Sequence, residues 1–145
     1  MNRTPIRQGD VILIPVATVP ADAQPVQPAG RLVLAEGETS GHEHVIAAPQ
    51  PHAWSQAPDG RWLPGQLGRF DTARPAGVAL LERPARTGDP DRFLEVLTEG
   101  GVMLPVVRPD GADAGRHAPV HIPAGAWQVR VQRRFDAGSV RRVAD

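Results

Sequence analysis

The sequence predicts an all-β protein, a compact β-barrel or β-sandwich of about six to eight short strands. Three observations predict it. Sixteen prolines and fifteen glycines, more than a fifth of the 145 residues, cut the chain into segments too short for long helices. Residues 126–135 alternate with the period of two that half-buries a strand, Trp127, Val129 and Val131 on one face and Gln128, Arg130 and Gln132 on the other. A length of 145 residues with 41% apolar and 22% charged side chains suits one domain with a real core, expected to span 1–145.

The elements follow in order. Asp10 to Val16 is a β-rich apolar run after the turn signal Gln8-Gly9, with Pro15 marking an edge or bend. Val19 to Gly30, rich in proline and alanine, reads as an irregular connection. Arg31 to Ala35 is a second strand, expected to continue through a bulge at Gly37 into 38–41 and then His42 to Ala47. Residues 48–91 form a proline- and glycine-rich excursion or long loop, with Gly77 to Glu82 strand-like inside it. Arg92 to Leu97 and Val102 to Val107, separated by Gly100-Gly101, suggest a hairpin. Pro119 to Pro123 is extended, Pro123-Ala124-Gly125 is a turn, Ala126 to Phe135 is the clearest strand, and Val140 to Asp145 fits a short last one.

Composition narrows the function classes. Without cysteine there are no disulfides, thiolate metal sites or cysteine nucleophile. A formal net charge of zero gives the whole molecule no bias towards nucleic acid or anionic membrane. No apolar run approaches a membrane span, and residues 1–5 do not lead into a signal-peptide core, so a cytoplasmic protein is expected. All sixteen basic residues are arginine, as a GC-rich genome would give. Nothing in the sequence fixes an oligomeric state.

The chemistry concentrates in five histidines: His42, His44, His52, His117 and His121. On a strand, His42 and His44 point to one face about 7 Å apart, so their imidazoles can converge on one ion, while Glu43 points away. His117 and His121 would be neighbours on a helix, but Pro119 and Pro123 oppose one, and in an extended chain they stand about 13 Å apart. The candidate metal set is therefore His42 and His44 plus one later histidine, with water or substrate in an open position. The ions considered are Zn, Fe, Mn and Ni. Glu36 and Glu38 are candidates for a further ligand, a general base or a partner orienting an imidazole. The candidate catalytic set is Glu38, His42 and His117. His52, beside Pro51, reads as surface decoration.

The chain resembles a family of small bacterial and phage proteins. The resemblance rests on Gln8-Gly9-Asp10-Val11, on Gly37-Glu38-Thr39-Ser40-Gly41-His42-Glu43-His44, and on three later motifs. These are His117-Ala118-Pro119, Pro123-Ala124-Gly125 and Gln132-Arg133-Arg134-Phe135, followed by Arg141-Arg142-Val143. It implies His117 rather than His121 as the partner of His42 and His44, and supplies no activity. Where relatives often carry a second histidine shortly before His117, this chain reads Asp113-Ala114-Gly115-Arg116. A more distant likeness to cupins rests on the His-x-His strand and the Pro-x-Gly turn. It is architectural only, because the later cupin histidine is replaced by Ala126-Trp127-Gln128.

Two functions follow as expectations. The first is a metal-dependent site, hydrolytic or lyase-type if catalytic, acting on a small molecule or RNA. A variant of it uses the histidines as acid and base on RNA without metal. The second is a non-catalytic module binding nucleic acid or a protein partner through Arg130, Arg133, Arg134, Arg141 and Arg142, offset only by Asp136. Arginines on an edge strand also deter edge pairing, and without tyrosine there is no evident base-stacking platform. Neither a nucleophile elbow around Ser40 nor a phosphate loop is present.

Overall fold

The computed structural model describes residues 3–27, 30–36, 41–48, 54–59, 62–64, 70–115, 117–136 and 139–142, with 54–56, 62–64, 133–136 and 139–142 described by backbone alone. Its strands, in chain order, are β1 (Ile6–Gln8), β2 (Val11–Val16), β3 (Gln24–Val26), β4 (Val33–Glu36), β5 (Glu43–Val45), β6 (Trp54–Gln56), β7 (Trp62–Pro64), β8 (Val78–Arg83), β9 (Asp91–Val96), β10 (Val102–Leu104), β11 (Val106–Val107), β12 (Val120–Ile122), β13 (Gly125–Val131), β14 (Arg133–Asp136) and β15 (Ser139–Arg142). The protein is all-β. Among the described residues there is no helix, hence none long and apolar enough to cross a membrane.

An antiparallel six-stranded sheet, β1-β2-β13-β9-β8-β3, carries the architecture. It stays open, with β1 and β3 as edges, so the sandwich alternative describes the molecule and a closed barrel does not. Alternation along its strands sends Val11, Leu13, Leu80, Leu94, Trp127 and Val129 inwards, where they pack with Leu32, Leu34, Ile46, Leu104 and Ile122 from around the smaller sheets β11-β5-β4 and β10-β12. Trp127, wholly buried, is the largest core side chain, and its Nε1 donates to the Pro123 carbonyl at 3.1 Å. The Arg3 guanidinium lies 4.9 Å from the Trp127 ring and donates to the carbonyls of Ala126 and Val16, tying the first described residues to β2 and β13. Val45, Ala47, Phe70, Met103 and Val107 form a second, smaller apolar cluster.

Four expectations need correction. Residues 31–47 are not one continuing strand: β4 and β5 pair antiparallel, Ala35 opposite His44 and Glu36 opposite Glu43. The chain reverses between them, with Gly41 at φ +67°, and the register irregularity falls between Val33 and Ala35. The expected bulge at Gly37 lies outside the described residues. β9 and β10 are not a hairpin, because both edges of β9 are filled, by β8 and β13. Gly100 and Gly101, at φ +80° and +77°, turn the chain out of the large sheet so that β10 pairs with β12. The strand expected over 126–135 breaks at Gln132, where its partner β2 ends: Val131 faces Val11, and the Gln132 N–H donates to the Asp10 carbonyl at 2.8 Å. Finally, the connection 19–30 contains β3, which pairs with β8.

The two turn glycines are not equivalent. A Cβ on Gly101 would collide with the Ile122 carbonyl oxygen and the His121 ring, whereas one on Gly100 meets nothing within 4 Å. Gly100→Ala is expected to cost about 1–2 kcal/mol of left-handed backbone strain. Gly101→Ala should cost more, because β10 and β12 must also separate. Urea unfolding of the two variants checks this ordering.

Candidate functional site

The site begins at the β1–β2 turn. Gln8 ends β1, Gly9 turns the chain at φ +56°, and Asp10 leads into β2. Two residues apart across a tight turn, Gln8 and Asp10 both project inwards, and they are only 4% and 1% exposed. Opposite them β5, the central strand of its sheet, carries His44 at 0% exposure, with His42 at 3% just before it. These four are the polar or charged residues among the described ones whose burial matches the core.

Gln8 sets the chemistry of His44. Its Nε2 donates to the carbonyls of Leu104 at 2.7 Å and Ala118 at 2.9 Å, so its Oε1 is the atom facing His44 Nδ1, 2.8 Å away. An amide oxygen only accepts, so Nδ1 must carry the proton and donate. The other ring nitrogen, Nε2, faces Asp10 Oδ1 at 3.6 Å. That is too long for a hydrogen bond and close enough for strong electrostatic coupling between buried groups.

Two further imidazoles flank this one. The His42 ring packs edge-on against His44 with centroids 6.0 Å apart, and the His117 ring stacks on it at 6.1 Å and 27°. His117, half-buried, arrives from the segment before β12, next to Ala118, whose carbonyl Gln8 holds. His121 is used elsewhere: its Nε2 lies 2.6 Å from the Gly100 carbonyl and holds the turn before β10. Glu43 points away from His44 and pairs with Arg31 at 2.8 Å. Glu36, opposite Glu43 in register, shares that outer face. Glu38 and His52 lie outside the described residues. Among the described residues, no group of three or more histidines, aspartates or glutamates converges closely enough to hold a metal ion as it stands.

A cavity of about 330 Å³ opens beside His42, lined also by Arg31, Glu36, Gly41, Glu43 and Pro109. A larger hollow of about 500 Å³ lies over β8, β9 and β13 between Asp89, Arg92, Gln128 and Arg130. It contains none of the histidines, and charged pairs such as Glu82–Arg92 edge it. The smaller one is the better candidate for a ligand, because there a buried imidazole meets the wall.

Sequence reasoning missed Gln8 and Asp10 as site residues. They are 36 and 34 positions from His44, and a strand-opening motif says nothing about which side chains cross to another sheet. The signal was the polar pair flanking a glycine at the head of an apolar strand.

Residues 7–132 match the model of a family described as Domain of unknown function (DUF8820). No curated protein and no solved structure matches, so the cupin likeness gains no support from known structures.

Gln8→Ala would leave the buried Leu104 carbonyl, the part-buried Ala118 carbonyl and the His44 Nδ1–H without this partner. A loss of about 2–6 kcal/mol is expected in denaturant unfolding, from about 1–3 kcal/mol for each of the two fully buried groups. In imidazole ¹⁵N spectra the wild type should show a protonated His44 Nδ1.

Proposed function

The chain belongs to this family of domains, and we propose for it a divalent-metal site built on Asp10 and His44 and completed by His42 or His117. The observation that carries the proposal is the pairing of a locked tautomer with a particular spacing. Gln8 Oε1 accepts the hydrogen bond from Nδ1–H, which is the arrangement of metal-binding histidines, whose second nitrogen donates to a protein acceptor and leaves the first to the ion. His44 Nε2 and Asp10 Oδ1 then stand 3.6 Å apart. Two donors on one tetrahedral zinc-sized ion stand about 3.3 Å apart.

Two imidazoles on one such ion have centroids about 5 Å apart. His42 and His117, at 6.0 and 6.1 Å from His44, each need a ring movement of about an ångström to join. Ion binding therefore entails a small closure of the site. Zn, Fe, Mn and Ni all accept imidazole and carboxylate donors. Bound there, the ion would act as a Lewis acid, activating water or polarising a carbonyl. The reaction class this suits is hydrolytic or lyase-type, on a small polar molecule entering the cavity beside His42. Arg31, and His42 where His117 completes the metal site, would orient the substrate, and Glu38, four residues before His42, is the proposed general base. A metal-free acid–base role for His44 has less support, because both of its ring nitrogens face buried protein groups.

Protein purified without a histidine tag is expected to carry near-stoichiometric Zn, Fe, Mn or Ni by elemental analysis. Asp10→Asn and His44→Ala should lose it. Metal at a hundredfold excess over its Kd should stabilise the apo-protein by about 2.7 kcal/mol. Absence of metal, together with no shift in melting temperature on adding any of the four, overturns the proposal and leaves Asp10 and His44 as a buried polar pair of the fold.

A further inference from the structure

The C-terminal strands lie in a sheet separate from those of the candidate site. β14 and β15 form a two-stranded ribbon of their own, in the register Arg133↔Arg142, Arg134↔Arg141, Phe135↔Val140 and Asp136↔Ser139. Two arginine pairs thus occupy directly opposed positions, one after the other, one pair on each face of the ribbon. Like charges directly opposite destabilise a ladder, and a two-stranded ribbon alone is marginal. Both strands of the ribbon are edges, so its arginines also deter edge pairing, but that role does not call for placing like charges opposite one another. A polyanion whose charges flank both edges of the ribbon, within reach of the arginines of both faces, would turn this cost into a gain.

The charge distribution points the same way. Residues 130–142 hold five arginines and one aspartate, and the rest of the chain eleven arginines against fifteen carboxylates. A molecule of zero formal net charge is therefore polarised, with its positive end here. Exposed Arg7 and Arg130 extend that end onto the large sheet, since each is in register with Ile12 of β2, one from either side. Arg7 Nη2 donates to Oε1 of Gln132, the residue that leads into the ribbon.

We propose that this ribbon is a binding surface for B-form DNA. The B-DNA major groove admits a two-stranded β-ribbon, whereas that of A-form RNA is too narrow for side chains to read. Single strands are held mainly by aromatic stacking, and Phe135 is the ribbon's one aromatic residue. Arginine's planar fork matches phosphate oxygens and the guanine edge alike.

The test is fluorescence anisotropy of a labelled B-form DNA duplex with the full chain, titrated at several salt concentrations. If four arginines each neutralise one phosphate, log K should fall against log salt with a slope of about −3.6. Arg133→Gln with Arg134→Gln, or Arg141→Gln with Arg142→Gln, should each reduce the slope by about 1.8. Arginine-to-lysine replacement at all four positions should keep it. The glutamine variants should unfold no earlier than the wild type, because opposed like charges are removed, and His44→Ala should bind DNA as the wild type does. The proposal is overturned if the wild type does not bind at 50 mM salt or if the quadruple glutamine variant keeps the slope. It is equally overturned if single-stranded DNA, double-stranded RNA or polyglutamate competes as well as the duplex.

Discussion

The Gln8 side-chain amide is the contact on which both fold and site depend. It joins β1, an edge strand of the large sheet, to His44 in β5, to Leu104 at the end of β10 and to Ala118 ahead of β12. Two polar groups that the sandwich removes from water, and a third that it partly covers, meet in one side chain. The next two residues complete the arrangement. Gly9 turns the chain so that Asp10 meets the far nitrogen of the same imidazole, and the Asp10 carbonyl takes the Gln132 N–H where β13 loses its neighbour. The turn that closes the first hairpin therefore also sets which nitrogen of His44 donates to Gln8, and it marks where the C-terminal ribbon leaves the sheet.

Local pattern carried the sequence a long way. Glycine and proline spacing, with alternation in 126–131, gave the all-β class and the face on which Trp127 and Val129 are buried. The period of two also placed Glu43 away from His44, where the structure has it paired with Arg31. What local pattern does not contain is pairing. Whether Arg92–Leu97 folds back on Val102–Val107 depends on whether β9 has a free edge, and β8 and β13 settle that from distant positions in the chain. Likewise a glycine between two β-rich runs reads equally as a bulge or a reversal, and around Gly41 the reversal prevails because β5 has partners on both sides.

The same distinction separates the two functional readings. His-x-His is a short-range signal and was legible. The residues that give His44 its chemistry, Gln8 and Asp10, come from the other side of the sandwich and were not. Charge behaves in the same way. A net charge of zero hides an arginine-rich C-terminal end, and that opposed ribbon positions put arginine against arginine follows only from the β14–β15 register.

The buried pair at the centre bears on the proposed metal. Removing a carboxylate from water costs several kcal/mol that hydrogen bonds and neighbouring charge must offset, and a polar pair so buried often adds no more stability than apolar side chains of the same size would. Asp10 and His44 therefore contribute little to a fold that needs only packing. A proton on Nε2 would supply the charge, but charge-assisted N–H···O bonds close to about 2.7–2.9 Å, and the gap here is 3.6 Å. A divalent ion supplies more charge and fits the wider gap, since it sits between its donors and does not draw them into contact. On that reading Gln8 has a consequence beyond stability. By fixing the proton on Nδ1 it presents a lone pair, already aimed at a carboxylate, before any ion arrives, so the rearrangement left to binding is confined to the rings of His42 and His117.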